Sequence, residues 1–428
     1  MTGALSILAA YAAKRWTLAT LRTPGQVAVR QRLMLNRQLT GIAQAIPFYR
    51  QFAGRPFAEW PVMDKAAALE NFSALNAHGI SRETAWAAAE EGLRSGNGSG
   101  RIGALTVGTS SGTSGNRGLF LVSKRERCLW LGSILAKTLP DFPFRAHRVA
   151  VMLSTANELY ETTQRSSRLA FAFFDIRKGV EGHIGELERF RPDTIVAPPK
   201  ALRALAEFGA DLPLQKIFAG GEVLDPLDAD QAERAFGVRP RSIYQATEGF
   251  LGVACAHGNI HLNEDDMIFE REPVPGHPDR FVPVITDLRR TAQAMIRYRL
   301  NDILAPSREK CACGSPLLAL ERVEGRCDDT LRLPGTKGGF VEVMPDAIRT
   351  AILDSDRSIK DFRVRQIDRT VVEIAVKAEE AGAWEKAAAA LRLVLRTHAV
   401  SEDAAILRGG RFEVDFARKL RRISRDGA

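Results

Sequence analysis

Short apolar runs bounded by turn-forming residues alternate, along the middle of the chain, with stretches whose apolar positions recur every three or four residues. The runs RVAVMLS (148–154), DTIVAPP (193–199), KIFAGGE (216–222) and RSIYQATEG (241–249) predict strands, whereas IGELERF (184–190) and PKALRALAEF (199–208) carry helical spacing. Strand and helix in alternation define an α/β body. Beyond GRCDD (325–329) the pattern changes to a short module: strands DFRVRQI (361–367) and TVVEIAVKA (370–378), a helix AWEKAAAALRLVLRTHA (383–399), and a last strand near RFEVDF (411–416). The expected organisation is a large N-terminal domain over 1–327 followed by a small α+β domain over 328–428.

At the start, the apolar run ALSILAAYAA (4–13) is too short to span a bilayer, has no positive charge before it, and runs straight into Lys14 and Arg15. It predicts a helix packed on the body, with a helix resting on a membrane surface as the alternative. No other stretch approaches membrane-spanning length, so a cytoplasmic protein without a transmembrane segment is expected. The 428 residues, 45% hydrophobic, are enough for two or more buried cores. The net charge of +9 is spread along the chain; the one compact basic run, RKLRRISR (418–425), reads first as a solvated terminal face, and no nucleic-acid partner is expected.

Candidate chemistry begins at TSSGTSGNRG (109–118). Glycines let successive backbone N–H groups converge on an anion, and the hydroxyls add donors, so Ser110, Ser111, Gly112, Thr113, Ser114 and Gly115 can form a phosphate nest. A glycine-rich turn between strands is the plainer alternative. The pattern lacks the Gly-Lys-Ser/Thr ending of a Walker loop; Asn116 and Arg117 follow instead.

Read in order, SSGTSGNRG, FAGGEVL (218–224), YQATEG (244–249), TDL (286–288), IRYRLND (296–302), GRCDDTLRLPG (325–335) and RKLRR (418–422) resemble the adenylate-forming ligase superfamily. With IPFYRQ (46–51), WPVMDK (60–65) and the short length, the chain looks most like the phenylacetate-CoA ligase branch. The resemblance implies a large multi-sheet adenylation domain with a small mobile C-terminal domain. It implies an enzyme that joins a carboxylic acid to ATP, releases pyrophosphate, and passes the acyl group from the acyl-adenylate to a thiol of CoA or an acyl carrier protein. An amide synthetase using an amine, and a silent nucleotide-binding homologue, are the alternatives. By the same resemblance the loop cradles the outgoing phosphates, Thr247 contacts phosphate, and Glu248 holds Mg2+. Tyr244, followed by Gln245 and Ala246, stacks on adenine, whose edge meets Gly220, Gly221 and Glu222. Asp302 takes the ribose hydroxyls, Arg326 donates to ribose or phosphate, Asp328 is the hinge, and Lys419 bridges the acid and the α-phosphate. The branch usually has lysine where this chain has Asn116; Arg117 is the nearest substitute, although the two cations are not interchangeable.

Two further groups stand out. CAHGNIH (255–261) and CACG (311–314) bring Cys255, His261, Cys311 and Cys313 into a set that a structural zinc would complete, with His257 as alternate ligand and metal-free reduced cysteines as the rival. Cys128 and Cys327 stand apart. For the acid pocket, Tyr160, Phe171, Phe173 and Phe174 offer aromatic walls, with Arg165 or Arg168 for a polar substituent, although aromatics in an alternating run are commonly core. A homodimer is compatible with the sequence, which fixes neither acid nor acceptor.

Overall fold

The computed structural model describes residues 3–95, 98–110, 117–154 and 168–426. The centre is a twelve-stranded mixed sheet. On one side, Leu169–Asp175, His147–Leu153, Thr194–Ala197, Lys216–Gly220 and Arg241–Ala246 lie side by side and parallel. Their β-branched and aromatic runs pair on the edges and bury both faces, against the helices Ile184–Phe190, Pro199–Glu207 and Pro226–Phe236 on one side. From Gly249–Ala254 onward the sheet turns antiparallel, through Ile260–Leu262, Ala319–Arg326, Asp302–Pro306, His277–Asp287 and Met267–Val274. Residues Thr247 and Glu248 form the two-residue turn at the switch from parallel to antiparallel, since Ala246 faces Gly249 across the hairpin. Crevices at the carboxyl ends of parallel strands are where open α/β sheets bind ligands.

A separate three-stranded sheet, Gly100–Ile102, Leu105–Thr109 and Leu119–Ser123, carries the glycine-rich loop between its second and third strands. The N-terminal helix Gly3–Thr20 packs on the body, as expected: the Tyr11 hydroxyl donates to the carbonyls of Leu139 and Pro140, and the Lys14 ammonium is buried against Asp265 and Asp266. Among the described residues no helix is long and apolar enough to cross a membrane.

From Leu331 onward the chain builds its own core. A hairpin (Leu331–Pro334 with Phe340–Val343) and a four-stranded sheet are packed by the helices Pro345–Ser355 and Ala383–Thr397. One expectation fails here: RFEVDF is not a strand, and the sheet is completed by Ala405–Arg408 and Ile423–Arg425. The alternating apolar residues of 411–416 serve different neighbours, not one sheet face. Phe412 lies under the Arg363 guanidinium at 4.4 Å, and Phe416 packs on the core of the large sheet. The Asp415 and Arg418 carbonyls, which a strand would pair with a neighbouring backbone, accept from the Lys200 ammonium.

The terminal module rests on the body through buried charge. Arg422 makes a bidentate pair with Asp228 at 2.8 Å on each arm and donates to Asp361 at 2.9 Å; Arg203 reaches the same Asp361 at 2.9 Å and Asp228 at 3.5 Å.

Candidate active site

Between the parallel strand ends and the terminal module opens a cleft of about 970 Å³, lined by Gly221, Glu222, Tyr244, Gln245, Ala246, Asp302, Arg326 and Lys419. The strands Lys216–Gly220 and Arg241–Ala246 deliver the first five, and the antiparallel pair that sets Asp302 opposite Arg326 delivers the next two. The Tyr244 hydroxyl donates to Asp302 Oδ2 at 2.8 Å, and Arg326 Nε stands 3.9 Å from Asp302 Oδ1, so the carboxylate is held in place with acceptor capacity left over. Burial, reinforced by Asp302, pushes the Tyr244 pKa well up and keeps the hydroxyl a donor. Gly221 turns at φ +81°, a left-handed conformation that suits glycine, and so brings Glu222 back over the strand end. Glu222 is itself engaged, accepting from the Lys200 ammonium at 2.9 Å and from the Leu420 N–H at 3.0 Å.

Lys419 comes from the terminal module and is half-buried in this cleft. Burial, with the Arg326 guanidinium nearby, holds its pKa below the usual lysine range, while Asp302, Glu222 and Glu248 pull the other way. Arg418 pairs with Asp415, Arg421 is bound to Asp329 and Arg422 to Asp228 and Asp361, so of the four basic side chains in this run Lys419 is the one that lines the cleft without an ion-pair partner among the described residues. Asp328 sits in the short turn Cys327–Asp329 and accepts from Asn301 Nδ2 at 2.6 Å.

The glycine-rich loop is closed at its neck by two bonds, from the Ser110 N–H to the Gly118 carbonyl at 2.8 Å and from the Gly118 N–H to Ser110 Oγ at 2.7 Å. Ser111, Gly112, Thr113, Ser114 and Gly115 lie outside the described residues, and Arg117 is exposed. Behind the neck is a narrow cavity lined by Ser110, Gly118, Thr247, Glu248, Tyr298 and Lys65. The Tyr298 hydroxyl bonds the Glu248 carboxylate, and Arg290 Nη1 donates to the Glu248 carbonyl at 3.3 Å, which fixes the turn from both ends.

On the other face of Gln245–Thr247 lies a third cavity, of about 180 Å³, with walls from Phe120, Trp130 and Phe250 and a polar end at Ser133, Asp287 and Arg289. Asp287 is raised to about 6 by burial, against the pull of Arg290, and its Oδ1 accepts from the N–H groups of Arg289 and Arg290. Phe171 and Phe173 line none of these three cavities; they sit on the edge strand Leu169–Asp175 and pack on the core beside the helix Lys124–Thr138. Phe174 is fully buried in the core on the other face, Arg168 donates to the Pro143 and Phe144 carbonyls, and Tyr160 and Arg165 lie outside the described residues.

Away from the clefts, Cys255, His261, Cys311 and Cys313 converge, their ligand atoms all within 4.8 Å of one another. The Cys255 and Cys311 sulphurs are 3.6 Å apart and His261 Nε2 is 3.2 Å from Cys313 Sγ, while Nδ1 is turned to the Leu317 carbonyl at 3.0 Å. His257 is not a member of this group; it lines the large cleft.

A mixed sheet whose parallel half ends in these clefts, capped by a small α+β module, is the fold of the acyl-CoA ligases that work through acyl-adenylates. 2-Hydroxyisobutyryl-CoA ligase in its postadenylation state, with 2-HIB-AMP, superposes with a TM-score of 0.69 at 19% identity over 94% of this chain and 90% of that one. Against the same ligase in the thioesterification state the TM-score is 0.54. The GH3.15 acyl acid amido synthetase shares the fold at a TM-score of 0.57 and 13% identity, over 86% of this chain and 82% of that one. In sequence, the phenylacetate-coenzyme A ligase of Thermus thermophilus is 24% identical over 196 residues, 42% of this chain; the chain thus matches less than half, 43%, of the length of that curated relative. No protein-family model matches.

Proposed function

We propose that the chain activates a carboxylic acid with ATP, forming an acyl-adenylate and pyrophosphate, and transfers the acyl group to the thiol of CoA or of a carrier protein. The observation that carries this is the convergence of Lys419, from the terminal module, with Asp302, Arg326 and Glu222 of the body on one cleft beside the Thr247–Glu248 turn. Adenylation brings a carboxylate against a phosphate, and preorganised cations and donors aimed at that point lower the barrier. Lys419 would bridge the two anions, Thr247 and the loop would hold the phosphates, and Asp302 and Arg326 the ribose. The adenine would lie on Tyr244 along Gly220–Glu222. The acid would occupy the cavity under Phe120, Trp130 and Phe250, whose apolar walls suit a flat or branched acyl group. The division of labour follows a boundary at 327/328 with Asp328 as the hinge.

Glu248 presents a carboxylate beside the Tyr298 hydroxyl and Thr247, an oxygen set that suits Mg2+, which would offset phosphate charge when bound. The Cys255, His261, Cys311 and Cys313 set fits zinc. Bonds of about 2.3 Å in a tetrahedron separate sulphurs by about 3.8 Å, close to the 3.6 Å found, and the Leu317 carbonyl orients the imidazole. With four protein ligands this is a structural site.

The amide-synthetase alternative is favoured only by the likeness to the acyl acid amido synthetase fold. The test is a panel of carboxylic acids assayed for pyrophosphate release without acceptor, followed by addition of CoA, a phosphopantetheinyl carrier, or amino acids. Release with no acid would overturn the activity; consumption of amine alone would move it to amide synthesis.

A further inference from the structure

The glycine-rich loop carries no lysine, and Arg117, its only cation, is exposed and does not line the cavity behind the loop's neck. That cavity is supplied with a cation from elsewhere in the chain. Lys65 opens the helix Lys65–Glu70, and the segment before it is fixed: the Met63 N–H donates to the Arg297 carbonyl at 2.9 Å and the Arg299 N–H to the Met63 carbonyl at 2.8 Å. The Asp64 side chain then caps the helix by accepting from the Ala67 N–H at 2.8 Å. Lys65 is therefore launched from a point bound to the same strand that carries Tyr298. Its alkyl stem runs along Gly118, where an added Cβ would stand 3.2 Å from Lys65 Cε, and Ser110, Thr247 and Glu248 share its cavity. Among the described residues its ammonium has no hydrogen bond and no ion pair. A partly buried ammonium left without a partner costs free energy unless a ligand meets it.

We propose that Lys65 is the cation for the phosphate chain of ATP, taking the role that a lysine within the loop would otherwise fill. The assignment rests on the ATP-dependent function proposed above. It also explains why the loop tolerates Asn116: the charge reaches the phosphates from below the neck. Burial lowers the Lys65 pKa, with Arg326 adding to the shift and Glu248 and Asp328 opposing it, as expected of an ammonium held out of water until an anion meets it.

Calorimetry with Mg-ATP, AMP and adenosine, in the absence of acid, tests this on the full chain. Lys65→Ala is expected to weaken ATP binding by roughly ten- to a hundredfold, the loss of one charge-assisted contact to phosphate, while adenosine binding stays within twofold; Lys65→Arg should restore most of the loss. The AMP arm reads which phosphate is held: a loss confined to ATP marks the outgoing pair, and a loss shared by ATP and AMP marks the α-phosphate. Unchanged ATP affinity in Lys65→Ala, or an equal loss for ATP and adenosine, overturns the proposal. Wild-type protein that binds none of the three would overturn the ATP reading itself, an outcome distinct from either.

Discussion

Removing the ammonium of Lys419 should divide the two half-reactions. At the adenylation step a unit charge about 4 Å from the reacting phosphate is worth about 4 kcal/mol at an effective dielectric of about 20. Lys419 is half-buried, so solvent screens part of this; about 3 kcal/mol remains, on the order of a hundredfold in rate. Lys419→Ala should therefore slow acid-dependent pyrophosphate release by about that factor, while transfer from a supplied acyl-adenylate to CoA stays nearly normal, because the proposed mechanism does not use this side chain in the second step. A pH profile adds a second reading. The working form is the ammonium, and burial together with Arg326 lowers its pKa, so adenylation should decline on the alkaline side earlier than an ordinary lysine would require. Lys419→Arg should remove that alkaline limb, since a guanidinium stays charged. Equal losses in both half-reactions, or a limb that persists in the arginine variant, would refute the assignment.

Purified protein never exposed to chelator should contain about one zinc per chain, and Cys311→Ser should lose it with a Tm lower by roughly 5–10 °C, as metal analysis and calorimetry will show. Asp328→Pro should slow acyl transfer more than adenylation, because proline fixes φ where the proposed hinge must turn; the two half-reactions measured separately decide it. Trp130→Leu should admit bulkier acids and raise the KM for the preferred one by about tenfold at unchanged KM for ATP, a split that identifies the cavity under Trp130 as the acid site.

Four of the five strands of the parallel half were legible, each as a short apolar run with turn residues at its ends; the fifth, Leu169–Asp175, read instead as a run of pocket aromatics. RFEVDF failed by the same rule: period-two alternation cannot distinguish one shared sheet face from Phe412 and Phe416 serving separate neighbours. Tyr244, Asp302 and Arg326, the residues proposed to hold the nucleotide, each sit in a short contiguous motif, and the structure gathers them into one cleft. Lys65 was present in WPVMDK but gave no local sign of its destination, which depends on the bridge from Met63 to Tyr298, far along the chain. The cavity proposed for the acid is assembled from five segments, at Thr106, Phe120 to Lys137, Gln245 to Phe250, Asn263 to Met267 and Asp287 to Arg290, so no single stretch could announce it. The aromatic run that looked suitable, around Phe171 and Phe173, is edge-strand packing.

The buried charges under the terminal module bear on how it could leave. Arg203 and Asp228 belong to the body; Arg422 and Asp361 belong to the module. Docked, the four form a closed square in which each cation touches both anions. Cut along the interface, the square yields two neutral couples, Arg203 with Asp228 at 3.5 Å and Arg422 with Asp361 at 2.9 Å, each already within reach before separation. The square therefore separates without stranding a charge, whereas Asp225 of the body, beside it, loses both of its cations, Arg349 at 3.2 Å and Arg422 at 3.7 Å, which belong to the module. If the module moves as proposed, the square opens by partner exchange, and the buried Asp225 carboxylate must then find water or a new cation.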